Sequence, residues 1–202
     1  MTQSPNRDYK VGTLKLIHGK EKFEEEKEEI LLTASPSSLA KNKIKEDFPE
    51  IKAINDKLLS IDIPCIIISV KKNRARHIEA LHNSLCDLKE MEGIKMILYV
   101  EHTVDATDLP VALWRFCNNV DPKRDSILAR RKSFACMGFD GTIKTKDLDN
   151  FHRDWPNIIV ADDYTIEAID RKWNELGIGE FIPSPSLKYR DQMYGQEAVV
   201  SV

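Results

Sequence analysis

The spacing of apolar residues changes character along this chain, and each change predicts an element. From Ile63 to Val70 the residues are almost all apolar and β-branched, which predicts a strand buried on both faces. Between about His77 and Glu90 the period becomes helical: Ile78, Leu81, Leu85 and Leu88 fall on one stripe. Gly93 punctuates, and Ile94 to Val100 reads as a second buried strand. Asp108 can cap a helix whose first turn holds Pro110 and which runs through Trp114 to about Asn118. Strands alternating with helices predict parallel pairing through right-handed crossovers, hence a three-layer α/β domain with a mainly parallel sheet. A last helix is capped by Asp162 or Asp163 and stopped by Gly177. Its Ile166, Ile169, Trp173 and Leu176 form a stripe that reads as core-facing, and Glu167 and Arg171 make an i,i+4 pair.

The ends follow other rules. Residues 1–39 read as an N-terminal appendage or linker, with a short strand over Val11–Ile17 and then a charged run. That run, Lys20–Glu29, holds six glutamates and three lysines around Phe23 and suits a solvated helix face. Pro36-Ser37-Ser38 opens a helix that Pro49 stops. The α/β domain occupies residues 40–180. Pro183 and Pro185 break regular structure beyond it, so 181–202 is expected to lie extended over a surface.

Composition narrows the class. With 42% hydrophobic and 31% charged residues the chain is neither disordered nor membrane-like, and its longest apolar run is far short of a bilayer span. A net charge of -3 gives no general attraction to nucleic acid or to an anionic membrane. The N-terminus has no apolar signal core. Cys65, Cys86, Cys117 and Cys136 stand far apart without a CxxC, as buried free thiols of a cytoplasmic protein do.

Several groups invite a chemical reading. Lys71, Lys72, Arg74 and Arg76 crowd the turn between the first strand and its helix, the end of a parallel sheet where anions bind. A basic solvated loop explains them as well. His82 and Cys86 share a helix face, but no second His/Cys pair is spaced to complete a tetrahedral zinc site, so no metal is expected. Asp121, Pro122, Arg124 and Asp125 suit a structural turn, with Asp121 bonding nearby amides and Arg124 pairing with an acid. Gly138 and Gly141 bracket Asp140 and predict a tight turn. Trp114, Phe116, Phe134, Trp155 and Trp173 serve core or subunit interface.

In order, Leu113-Trp114, the segment Val120 to Ser126, the segment Cys136 to Lys144 and the segment Ala168 to Leu176 resemble the "LW…DP-x-RD", "K-M-G-h-D-A-T" and "I-D-x-x-W-x-E-L" blocks of UbiD-family decarboxylases. Phe48-Pro49-Glu50-Ile51 resembles the family's "FPEI", and Ile68 to Lys72 with His77 resembles its "h-x-I-K-K-x-x-x-G-H". Arg76 stands where that last pattern has glycine, and Asn118-Asn119 where the family has Thr-Arg before its Asp-Pro. The resemblance marks a divergent branch. It implies the C-terminal oligomerisation domain of a carboxy-lyase acting on aromatic or unsaturated acids. Prenylated FMN, its divalent metal and the catalytic carboxylates would lie on a preceding domain, so this chain alone is expected to be non-catalytic, with no catalytic residue and no cofactor of its own. It further implies a homo-oligomer, at least a dimer, and a flavin prenyltransferase as indirect partner. Arg76 is the one residue offered as a phosphate contact in the intact enzyme. Trp114, Asp121, Pro122, Arg124, Asp125, Gly138, Asp140 and Trp173 are carried as structural or interface positions. Two other readings stay open: a stand-alone module binding a small anion at Lys71 to Arg76, and a non-catalytic subunit that pairs with a separate catalytic chain.

Overall fold

A computed structural model describes residues 36–200, apart from Ser37 and residues 132–134. In chain order it contains helix α1 (Lys41–Asp47), strands β1 (Ile51–Asn55) and β2 (Cys65–Val70), helix α2 (His77–Cys86), strand β3 (Met96–Glu101), helix α3 (Leu109–Asn119) and the single turn α4 (Pro122–Asp125). Strands β4 (Ser126–Arg130) and β5 (Ala135–Gly141), the short α5 (Lys146–Asp149) and helix α6 (Asp163–Leu176) complete it. The expected strand at Val11–Ile17 and the charged run Lys20–Glu29 lie outside the described residues.

The two apolar runs become the centre of one sheet of order β1-β2-β3-β5-β4. β2, β3 and β5 are parallel, with Ile67 opposite Leu98 and Leu98 opposite Phe139, whereas β1 and β4 pair antiparallel at the two edges. Every residue of β2 is buried, as a strand covered on both sides requires. The alternation divides its side chains. Ile66, Ile68 and Val70, with Ile97 and Tyr99 of β3, meet Ile78, Leu81 and Leu85 of α2. Cys65 and Ile67, with Leu98 and Val100, meet Val111 and Ala112 of α3. Each such Ile, Leu or Val contributes about 1.5–3 kcal/mol by leaving water. Asp108 caps α3 as its side-chain Oδ1 accepts from the Val111 amide at 3.2 Å.

Other expectations need correction. The helix starting at His77 ends at Cys86, and a separate 3-10 turn covers Lys89–Met91. Gly138 and Gly141 lie within β5 and make no tight turn. Cys117 is exposed, unlike the three buried thiols. The tail is not simply extended: a 3-10 helix spans Pro185–Gln192, and Val199 bridges to Pro156.

α6 departs most. Its ends are as read: Asp162 accepts from the Thr165 amide at 2.7 Å, and Gly177 closes it at φ 63°. Its apolar stripe, however, is not in the core, because no residue of α6 is buried. α2 and α3 cover the middle of the two sheet faces, and α6 is not laid on the apolar surface that remains, where Met96, Met137 and Leu128 pair across β3, β5 and β4 and stay exposed.

Candidate functional site at the carboxyl ends of the parallel strands

β2 and β5 both end toward a cleft of about 630 Å³, which the start of α2, the start of β4 and α5 complete. Ligands of open α/β sheets bind at this end of the strands. Two lysines reach it and are almost fully buried. Lys72, just beyond β2, donates to both carboxylate oxygens of Asp149 at 2.7 Å and to the Ile143 carbonyl at 2.8 Å. Lys144, just beyond β5, donates to the Asp140 and Thr142 carbonyls at 2.7 and 2.9 Å, with Asp140 Oδ1 at 3.1 Å and Asp125 Oδ1 at 3.7 Å. An ammonium has three donors, and both of these are saturated. Burial pulls the Lys144 pKa down, against the opposing pull of Asp140 and Asp125.

Arg124 completes the set. Its Nε and Nη2 donate to the two oxygens of Asp125, each at 2.7 Å, and its guanidinium lies over the Phe151 ring at 5.2 Å. Asp121 caps α4 through the Lys123 and Arg124 amides at 2.9 and 3.2 Å, and Pro122 opens that turn. Asp140 Oδ1 also accepts from the amide and hydroxyl of Thr142 at 3.0 and 2.5 Å. At the end of β3, Glu101 Oε2 accepts from the Ile143 amide at 3.3 Å, tying the middle strand to the same loop.

On the α2 side, His77 Nδ1 accepts from the Asn73 amide at 3.2 Å, which leaves Nε2 to donate to Glu50 at 3.1 Å. Burial works against ionisation of Glu50, but its own backbone amide and His77 hold its pKa below the usual value. Arg76 sits on the rim. Its backbone is left-handed at φ 53°, the region glycine enters freely, so the glycine of the resembling motif has a physical reason there. Its guanidinium forms a two-bond pair with Glu79 at 2.6 Å.

A second cluster lies beneath α2. His82 and Cys86 from that helix and Cys136 from β5 present ring nitrogen and sulfur atoms within 4.8 Å of one another, and all three residues are buried. Tyr99 Oη lies 2.9 Å from His82 Nδ1, and the Cys136 carbonyl and Cys86 Sγ lie 3.2 and 3.8 Å from Nε2. A Cβ on Gly138 would stand 2.6 Å from this imidazole, so glycine admits the ring. Gly141 similarly admits Phe116 of α3, whose ring would lie 2.6 Å from an added Cβ.

The structure therefore gathers Arg124, Asp125 and Asp140 in the cleft, with Arg76 at its rim and Asp121 and Pro122 supporting α4. Trp114 stands apart on α3, half exposed, with its ring 5.8 Å from Tyr189. Trp173 on α6 donates to the Gly179 carbonyl at 3.1 Å and meets Phe181 edge to face. The pairing of Lys72 with Asp149, the role of Lys144 and the place of Cys136 beside His82 escaped the sequence reading. The first and last join residues 77 and 54 positions apart, whereas Lys144 bonds Asp140 and Thr142 within its own turn.

A flavin phosphate needs cations with donors to give. Among the described residues the four Lys and Arg side chains lining the cleft are each paired: Lys72 with Asp149, Lys144 with Asp140, Arg124 with Asp125 and Arg76 with Glu79. The two buried lysines thus fit a neutralised junction between strand ends, while Arg76 and Arg124 each pair through Nε and Nη2 and keep Nη1 outside the pair.

Residues 30–137 match the model of the 3-octaprenyl-4-hydroxybenzoate carboxy-lyase C-terminal domain. Among curated proteins, one from Aeropyrum pernix is 21% identical over 150 residues, covering 64% of this chain and 31% of that protein. One from Aquifex aeolicus is 28% identical over 123 residues, covering 55% and 25%. The chain thus spans under a third of the relatives it matches. Among solved structures, the closed form of vanillic acid decarboxylase from Sedimentibacter hydroxybenzoicus aligns with TM-score 0.49 at 19% identity, covering 68% of this chain and 31% of that one. An evolved dimeric form of the UbiD-class enzyme HmfF from Pelotomaculum thermopropionicum, in complex with prFMN, aligns with TM-score 0.40 at 21% identity, covering 55% and 24%.

Proposed function

The chain belongs to the UbiD family, and from that premise we propose that it supplies the C-terminal assembly domain of a decarboxylase of aromatic or unsaturated acids rather than the reaction centre. The observation that carries this reading is the uncovered apolar face of α6 and the segment after it. Ile169, Leu176, Ile178, Phe181 and Ile182 are each at least 43% exposed, and Tyr164 is 78% exposed. So many exposed apolar side chains on one helix and the segment after it support an interaction site. Its occupant is a second copy of the chain, giving at least a homodimer, and the dimer holds one wall of an active-site cleft built by the catalytic domain. The cleft supports the division of labour, since its two buried lysines have no donor left to take a phosphate.

In the complete enzyme, prenylated FMN and its divalent metal belong to the catalytic portion, with a flavin prenyltransferase supplying the cofactor. The catalytic portion is either part of the same polypeptide or a separate chain. Among the described residues no helix is long and apolar enough to cross a membrane, and the protein works in the cytoplasm, where its thiols stay reduced.

Light scattering on the purified chain tests the assembly role. The expected result is a dimer mass that falls to a monomer in Ile169→Asp/Phe181→Asp, with the far-UV circular dichroism retained. A wild-type chain that stays monomeric at high micromolar concentration overturns it. Adding prenylated FMN and an aromatic acid tests the other half: CO2 release at enzyme-like rates by this chain alone would place the chemistry here. The mass of the endogenous protein, read with an antibody to this domain, shows whether the catalytic portion is continuous with it.

A further inference from the structure

We propose that His82, Cys86 and Cys136 form a closed three-ligand site for a soft, filled-shell metal ion, Cu+ or Zn2+. The argument begins with two elements that converge. His82 and Cys86 stand one turn apart on the inner face of α2, and Cys136 rises from β5 directly beneath them. All three are buried, and their ligand atoms fall within a 4.8 Å sphere of mutual distance.

The dimensions suit coordination. Bonds of about 2.3 Å to sulfur and about 2.0 Å to nitrogen place ligand atoms of one ion roughly 3.5–4 Å apart. Cys86 Sγ and His82 Nε2 are already 3.8 Å apart. Hydrogen bonds to Tyr99 and to the Cys136 carbonyl account for the imidazole. They do not account for the Cys86 sulfur 3.8 Å from Nε2, or for a Cys136 sulfur that falls within the same 4.8 Å group.

Charge balance points the same way. Zn2+ with two thiolates and a neutral imidazole has no net charge, as has Cu+ with one thiolate and one thiol.

The ring has a second partner in place. Binding releases thiol protons to solvent, two for Zn2+ and one for Cu+. It also requires the Nε2 lone pair, so the imidazole proton moves to Nδ1 and is donated to Tyr99 Oη. Such an outer partner orients a ligating histidine, and its loss typically weakens affinity about 10- to 100-fold. Gly138 leaves the space in which the ring can hold this position.

The full chain, reduced and kept anaerobic, is titrated with Cu+ against a chromophoric chelator and, separately, with Co2+ as the spectroscopic stand-in for Zn2+. One ion bound per chain, with sulfur-to-metal charge-transfer bands and a raised melting temperature, is the expected result in at least one arm. Binding is lost in Cys86→Ser/Cys136→Ser, unchanged in Cys117→Ser and weakened about 10- to 100-fold in Tyr99→Phe. Should the double variant fail to fold, X-ray absorption of the metal-loaded wild type decides: two sulfurs and one nitrogen support the site, and a shell of oxygens alone overturns it. Absence of binding in both arms, or full binding by a folded double variant, also overturns it.

Discussion

Helices α2 and α6 have the same kind of sequence and different fates. Each carries an apolar stripe at helical spacing and a polar opposite face. α2 buries Ile78, Leu81 and Leu85 against the sheet, and α6 buries nothing. Periodicity fixes that an element is a helix and which face seeks cover. It carries no information on whether the cover comes from the same chain. The difference lies in the rest of the fold: α2 packs on the middle of the sheet, whereas α6 packs on no part of it, although Met96, Met137 and Leu128 stay exposed there.

That contrast can be attacked at several points, the largest effect first. Lys144→Ala takes the cation from Asp140 and the donors from the Asp140 and Thr142 carbonyls, while Asp125 keeps Arg124, at a cost of about 3–5 kcal/mol in urea unfolding. Leu85→Ala, at a side chain with 0% exposure, costs about 2–5 kcal/mol. The equivalent cut in α6, Ile169→Ala, should change monomer stability by no more than about 0.5 kcal/mol while weakening self-association. Equal losses at the two sites would mean that α6 packs on its own domain after all. Gly138→Ala pushes a methyl group into the His82 ring and costs about 1–3 kcal/mol, whereas Gly177→Ala meets no neighbouring atom and costs about 1 kcal/mol from its left-handed backbone alone.

The smallest effect is a dependence on pH. Burial raises the Asp56 pKa, but the Lys41 ammonium and the Leu39 amide outweigh it and hold the carboxyl below its usual value. A group depressed in the folded state stabilises above its unfolded pKa of about 4, and that contribution disappears as pH falls through the folded value. Asp56→Asn should therefore flatten part of the acid limb of a melting-temperature profile and leave the α6-dependent association unchanged.

Much of the frame was legible in the residues. β2, β3, α2 and α3 follow from apolar runs and helical spacing, since such strands and helices are specified by local pattern. β1 was missed: in Ile51–Asn55 the exposed Lys52 and the Asn55 amide, which donates to the Ala106 carbonyl, break the alternation. β5 was misread because two glycines look like a turn, and their reason, the approach of His82 and Phe116 from opposite sides, exists only after folding. The candidate cleft was legible only as a basic turn. That Lys72 finds Asp149, 77 positions away, is beyond any local rule.

Lys72 has one more consequence, for register rather than strength. β2 and β5 are separated by β3 and never exchange backbone hydrogen bonds. Lys72 nevertheless reaches across to the Ile143 carbonyl, only a few positions beyond the end of β5, while Lys144 grips the Asp140 carbonyl within that strand. A slip of one residue moves a strand by about 3.3 Å, more than the Lys72 ammonium can follow without losing acceptors, whereas Lys144 travels with its own strand. An apolar strand would tolerate such a slip at modest cost, because Val, Ile and Leu are nearly interchangeable neighbours. The buried Lys72 ammonium would not, so it acts as a gauge of the alignment of β2 with β5.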